Sequence, residues 1–417
     1  MRFPEGLRAL NHADFRLFFI GQLISLVGSW MQTVGQSWLI LTLTNSPFLL
    51  SLISTLQFLP MLLLSLVAGA VTDRFPKRKL IIGTQMALML QALILSALVW
   101  SGHVRYWHVA VLALSLGLVN TLDMPARQSF FVEMVGKGDL MNAIALNGAM
   151  FNGARIVGPA VAGLLIARYG VGLGFFLNGI SFLAVIAALF LIKAEGLPKP
   201  RTSKNMGQEI REGLQYVART PLTFLILSLV GTVSLFVINF TVLIPLLAKQ
   251  VLHQEAQGFG LLMSAMGLGA LGGALTLALT GKGRPSLRSI FIPGAVLSLA
   301  ALIVAFQRQV PFAAVMLAVV GFAQILFSAG GNTLLQVTTP DELRGRVMSL
   351  YLLVFAGSTP IGAFFIGIIS ERWGAPAGWW SAGGLGLVSV VVIALWWRLR
   401  HGADRRGALT ESRGGVV

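Results

Sequence analysis

Cysteine is absent from the 417 residues, which excludes a disulfide, a thiolate nucleophile and a cysteine-held metal. Charge is scarce: Asp, Glu, Lys and Arg make up 11% of the chain, against roughly 25% in a soluble domain. Acid is scarcer, with 15 Asp and Glu beside 31 Lys and Arg. His12, His103, His108, His253 and His401 are too dispersed for a metal site, so neither metal nor cofactor is expected. No Walker loop, Gly-x-Ser-x-Gly or His-Glu-x-x-His is present, so neither ATP hydrolysis nor another enzymatic chemistry is expected. A cleavable leader is not read either, since Met1 to Asp14 is polar and the first apolar run is too long for a signal core.

What remains is apolar: 56% of residues are hydrophobic, mean hydropathy is +0.81, and 47 residues are glycine. A membrane span needs about 20 apolar residues to cross roughly 30 Å of hydrocarbon. Twelve runs qualify: 15–43, 48–71, 80–101, 105–123, 141–167 and 173–193, then 221–247, 257–281, 289–307, 311–336, 345–370 and 377–397. Period-two alternation is missing, so the expectation is an all-α membrane protein rather than a barrel.

The connector 194–220 divides the runs six and six. The resulting expectation is a six-helix half over 1–193, a second over 221–397, and a basic tail over 398–417. Within the connector, Ile210, Leu214 and Val217 recur at helical spacing between Arg211, Glu212 and Arg219. Both a surface amphipathic helix and a plain linker fit that pattern. With the N-terminus placed in the cytoplasm, 25 of the 31 basic residues fall on the cytoplasmic side. Such asymmetry orients a membrane protein. It predicts both termini inside, makes lipid phosphate the partner of the excess charge, and argues against nucleic acid.

The halves echo each other. Gly163-Leu-Leu-Ile-Ala-Arg168-Tyr-Gly170 resembles Gly367-Ile-Ile-Ser-Glu-Arg372-Trp-Gly374 in its first glycine, arginine, aromatic and last glycine. Two similar six-helix halves place a site between them, reached from alternate sides as one half rocks against the other. A small-molecule substrate and function as a monomer are the matching expectations.

The loop Gly69-Ala-Val-Thr-Asp73-Arg74-Phe-Pro-Lys77-Arg78 resembles the signature loop of the major facilitator superfamily. Pro76 stands where that family has glycine. The resemblance implies a cytoplasmic gate formed by Gly69, Asp73, Arg74, Lys77 and Arg78, with the basic residues toward lipid phosphate. The run Ala154-Arg155-Ile-Val-Gly158-Pro159-Ala-Val-Ala162-Gly163 is similar to the family's fifth-helix motif, which marks exporters that run as antiporters. Alanine replaces glycine at 154 and 162. Strings such as Gly28-Ser-Trp30-Met-Gln32, Asp123-Met-Pro-Ala-Arg127-Gln and Leu140-Met-Asn142 look like the bacterial branch that includes the enterobactin exporter and macrolide-efflux proteins. That resemblance implies a twelve-helix facilitator in the cytoplasmic membrane, exporting a siderophore or drug-like molecule by proton antiport. An importer on the same fold and a membrane scaffold or lipid-handling protein without a soluble substrate are the alternatives.

Arg155 lies about 20 Å into its run, where an arginine must face the bundle interior or a wet cavity. It is a candidate for binding or gating an anionic group, or a structural arginine on backbone carbonyls. No acid falls at mid-membrane in this reading. Asp123 and Arg127, at the cytoplasmic end of the fourth run, are a candidate gating pair or a solvated loop pair. Gln32 and Gln36 sit one turn apart, and Gln324, Ser328, Asn332 and Gln336 form an i, i+4 stripe. Both sets fit cavity lining, and both fit polar glue between helices.

Overall fold

The computed structural model describes residues 3–72, 74–196, 206–280 and 286–411, and among these residues it has no strand. Helices follow from the composition, because in hydrocarbon each backbone polar group needs a partner within its own segment. The order is α1 (Ala13–Thr44), α2 (Pro47–Thr72), α3 (Lys77–Trp100), α4 (Tyr106–Tyr169), α5 (Val171–Leu191), α6 (Met206–Arg219) and α7 (Pro221–Phe236). Then come α8 (Phe240–Leu246), α9 (Ala256–Thr280), α10 (Arg288–Val304), α11 (Val310–Thr338), α12 (Asp341–Trp373) and α13 (Ala375–Glu411). Among the described residues ten segments are long and apolar enough to cross a membrane, with α10 shorter at 17 residues.

The 64-residue α4 is two legs joined at Gly136, where φ is 70° and ψ 174°. This corrects the expected loop over 124–140, since the first leg stays helical through Pro125 and up to Gly136. By hydropathy alone, Asp123, Arg127, Glu133 and Lys137 make this stretch look like a loop. In the structure Asp123 and Arg127 neutralise each other one turn apart, 2.5 Å between Oδ2 and Nε. A second correction concerns the seventh run, which breaks at Val237–Asn239 between α7 and α8 and ends in a π-turn, Leu247–Val251. Asn239 Nδ2 donates to the Leu235 carbonyl freed by the break (2.8 Å).

The internal echo has a structural counterpart. Gly170 (φ 77°, ψ 173°) and Gly374 (φ 84°, ψ 166°) each form a one-residue turn between two helices, in a conformation open to glycine for lack of a Cβ. The packing repeats too: α3 on α5 is matched by α10 on α13, and α2 on α4 by α9 on α11. The most extensive contacts between the halves are α2 with α12 and the second leg of α4 with α9, and α8 also meets α1 and α2. The bundle has a turn end, carrying Asn45–Ser46, Gly170 and Gly374, and a connector end, carrying residues 192–196, the start of α7 and residue 3.

At the connector end the first residues are tied down. A 3₁₀ turn, Glu5–Asn11, rests on the start of the second leg of α4. Arg8 and His12 both reach Asp139, and Asn142 takes the Ala9 N–H while donating to the Gly6 carbonyl. The Asp139 carboxyl, at this junction outside the apolar legs, is held below the usual carboxylate range, first by the His12 hydrogen bond and then by Arg8. Asp14 accepts from the Lys193 and Ala194 N–H groups beyond α5.

Candidate functional site

Two adjoining chambers lie beside α1, of about 250 and 310 Å³. They share Ser29, Thr33, Gln36, Gln57, Phe58 and Phe151. The walls combine aromatic rings with neutral polar groups, and Thr241 of α8 contributes from the second half. Gln36 Nε2 donates to Gln57 Oε1 across to α2 (3.3 Å). Gln32 is held more firmly: Asn178 Nδ2 of α5 donates to its Oε1 (2.6 Å), and its Nε2 donates to Gln91 Oε1 of α3 (2.9 Å). Gln32 therefore both lines the wall and ties three helices together.

The larger chamber ends at Asp123 and Arg127. Asp123 is 3% exposed. Its Oδ1 accepts from Thr84 Oγ1 (2.6 Å) and from Gln85 Nε2 (3.0 Å), both on α3. Of the two alternatives for this pair, gating pair or solvated loop pair, the second does not hold: the carboxylate is buried inside the bundle and the arginine is half-buried beside it. Thr84 is the eighth residue of α3, placing the carboxylate about 10 Å along that helix from its connector end. A third cavity, of about 300 Å³, opens between α2, the first leg of α4 and α12, lined by Ser65, Asn120, Gln128 and Ser349 among apolar side chains.

Arg155 joins the halves. Its Nη2 donates to Gln324 Oε1 of α11 (2.9 Å), and its guanidinium lies over the Trp30 ring of α1, 5.8 Å from the centroid. The expected polar stripe divides. Gln324 meets Arg155, Ser328 donates to the Gln324 carbonyl, and Asn332 accepts from Gln336. The fifth-run motif, on the second leg of α4, is a two-sided packing surface. Ala154, Gly158, Pro159, Ala162 and Gly163 are all buried. Gly158 meets Val27 and Trp30 of α1, while Gly163 lies against Ala256 and Gly260 of α9.

Of the expected gate residues, Asp73 lies outside the described residues. Gly69 ends close to α2's last turn, where its carbonyl accepts from Thr72, and Arg74 is exposed. Lys77 faces inward, and the half-buried Arg78 is engaged by backbone carbonyls of the protein. Lys77 is fully buried, its backbone N–H bonded to the Gly196 carbonyl. Arg78 donates to the Leu189 and Phe190 carbonyls at the end of α5 (2.6 and 3.0 Å). Those carbonyls are the unpaired last turn of a helix, so the arginine closes it.

Two charges at the turn end were not singled out in the sequence. Glu371 of α12 accepts from Ser46 Oγ and from the Phe48 N–H (2.8 and 2.9 Å), capping α2 from the other half. Lys249 donates to the Leu41 carbonyl near the end of α1 and lies over Trp38. Both charges suit the helix dipole they meet. Thr55 with the Pro360 carbonyl, Ser54 with Thr241, and Ser264 with the Ile156 carbonyl add further crossings. All these bonds lie within the turn-end part of their helices.

The profile of the transmembrane secretion effector family matches residues 5–410. The chain belongs to that family. Its members here are facilitator-type membrane transporters, and the matched relatives are transporters across their length. The multidrug efflux pump Tap of Mycolicibacterium fortuitum is 29% identical over 373 residues, covering 87% of this chain and 90% of the pump. The staphyloferrin A transporter of Staphylococcus aureus is 24% identical over 370 residues (86% and 90%). Macrolide efflux protein A of Streptococcus pyogenes is 23% identical over 389 residues (91% and 94%). The fold is also that of solved transporters. An inward-facing bacterial homologue of the lysosomal transporter Spinster aligns with TM-score 0.69 at 13% identity, covering 92% of this chain and 94% of that one. The nucleoside transporter NupG aligns with TM-score 0.71 at 12% identity (92% and 99%).

Proposed function

We propose that this effector is a secondary exporter of a small organic molecule, driven by proton antiport across the cytoplasmic membrane. The observation that carries the reading is a polar and aromatic chamber beneath a latched turn end. Glu371 and Lys249 of the second half hold the turn of the first, while α4 and α12 stand apart around a cavity nearer the connector. With the connector end cytoplasmic, as the basic residues orient it, the chamber faces the cytoplasm and takes its cargo there. Outward release follows when the latch opens and the halves rock about Arg155 and the α4–α9 seam.

The chamber wall favours an amphipathic cargo. Trp30, Phe58 and Phe151 supply apolar faces, and Gln36, Gln57 and Thr33 supply hydrogen bonds without net charge. Drugs and a siderophore, which the relatives' names carry, both have that mixed character. The test uses inside-out vesicles containing the full chain, offered a macrolide, a carboxylate siderophore and ethidium with and without a protonophore. Protonophore-sensitive uptake of one of them supports the exporter; uptake only into right-side-out vesicles would make it an importer.

A further inference from the structure

We infer that Asp123 is the proton-carrying carboxylate of the transport cycle and that Arg127 is the partner it releases on protonation. The inference rests on the exporter reading and gives its antiport a named residue. Asp123 and Arg127 are the two ionisable residues in the lining of the larger chamber. A carboxylate buried there is stable only while paired and hydrogen-bonded. It has Arg127 on Oδ2 and Thr84 and Gln85 on Oδ1.

The same neighbours can satisfy the protonated acid. Thr84 Oγ1 lies 2.6 Å from Asp123 Oδ1 and 2.9 Å from the Ile81 carbonyl, and a hydroxyl carries one proton and two lone pairs. With Asp123 ionised, Thr84 donates to it. With Asp123 protonated, the acid donates to Thr84, and Thr84 donates to the Ile81 carbonyl. Gln85 has the same ambivalence, since turning its amide presents an oxygen in place of the NH₂. Thr84 stays paired in both states, and Gln85 Oε1, buried without a hydrogen-bond partner while the NH₂ meets the carboxylate, gains one when the protonated acid donates to it instead. A purely structural ion pair needs no such provision.

The surroundings leave no competing charge among the described residues of the wall. Beside Arg127 on the same helix, α1 presents Gln22, α2 presents Gln57 and Met61, and α5 presents Asn178 and Phe182. All are neutral. The step is a proton arriving from solvent through the chamber onto a carboxylate oxygen, so the pair passes from zero net charge to +1. Arg127 then faces the chamber uncompensated. A proton and a cationic or hydrogen-donating cargo therefore oppose each other at one end of one chamber, and such competition is what antiport requires.

The test compares the full-length protein with Asp123→Asn, Asp123→Glu and Arg127→Lys. Infrared difference spectra between acid and alkaline buffer report protonation directly and need no cargo. The wild type and Asp123→Glu should show the carbonyl stretch of a buried carboxylic acid in acid, and Asp123→Asn should lose it. In inside-out vesicles, Asp123→Asn should lose pH-gradient-driven accumulation of ethidium, and Asp123→Glu should retain it. An unchanged carbonyl band in Asp123→Asn, or undiminished gradient-driven accumulation, would overturn the assignment. If the wild type moves no ethidium, the dye reading of the exporter fails while the infrared result still decides the proton site.

Discussion

Arg155 on the second leg of α4 and Gln324 on α11 meet at 2.9 Å in a side-chain hydrogen bond between the halves. A guanidinium inside the bundle needs an acceptor, and the oxygen of Gln324 supplies one without fixing the pair by charge. A neutral partner suits a contact that must break and re-form. Removing Gln324 strands the guanidinium, at a cost of about 1–3 kcal/mol, whereas removing Arg155 takes away charge and partner together. Gln324→Ala should therefore lower transport by about 5- to 150-fold, and Arg155→Ala should lower it by a comparable, measurable factor. The double variant should be no worse than Arg155→Ala. Additive losses in vesicle uptake would mean that the two residues act separately.

Glu371 caps α2 across the interface, so its loss should loosen the turn end and not the connector end. An N-cap acceptor contributes about 0.5–2 kcal/mol, a shift of about 2- to 30-fold in the balance between latched and open states. The absence of native cysteine makes this measurable. A single Leu50→Cys thiol, buried beside the chamber, should react with maleimide faster by that factor when Glu371 is replaced by Ala. An equal rate in both backgrounds would show that the latch lies elsewhere.

The fold was legible because hydrocarbon imposes length and composition on each helix, and the sequence carries both openly. Gly170 and Gly374 even announced the repeat, since each sits at a turn that positive φ reserves for glycine. The site was legible in parts. Gln32, Gln36 and Arg155 stand out as polar residues in apolar runs, and all three lie at the chamber or its edge. Asp123 was misplaced because hydropathy adds charges one by one, while a pair one turn apart crosses apolar surroundings as a neutral unit. Glu371 and Lys249 looked like ordinary loop charges. Their partners are a hydroxyl and backbone groups more than 200 residues away, and no local pattern encodes such a contact.

The seam between α4 and α9 makes a prediction about shape alone. A Cβ added at Gly260 would lie 2.5 Å from the Pro159 carbonyl oxygen and 2.9 Å from the Gly163 Cα. Backbone on both sides leaves no flexible side chain to give way. Gly260→Val should force the helices apart, with an overpacking cost of about 1–3 kcal/mol. The expected result is a lower melting temperature in detergent and impaired transport. Gly148→Ala, with nothing within 4 Å of its Cβ position, should leave both at wild-type levels. Equal melting temperatures for Gly260→Val and the wild type would show that the seam is not closely packed.

The Asp139 carboxyl ties the first residues to the head of the second leg, and its depressed pKa fixes the sign of the pH response. His12 contributes first and Arg8 next. A carboxyl whose folded pKa lies below its unfolded value of about 3.9 adds stability above that value and loses it as pH falls through the folded one. The docked turn should therefore hold from neutral pH down to about pH 4 and release only in stronger acid. Ala9→Cys, at a position fully buried under this turn, should stay protected from a thiol reagent between about pH 8 and pH 5. Asp139→Asn should expose it at neutral pH, because the amide keeps the shape and removes the charge that holds Arg8. Protection that persists in Asp139→Asn would assign the docking to Asn142, whose side chain bonds the Ala9 N–H and the Gly6 carbonyl and does not titrate.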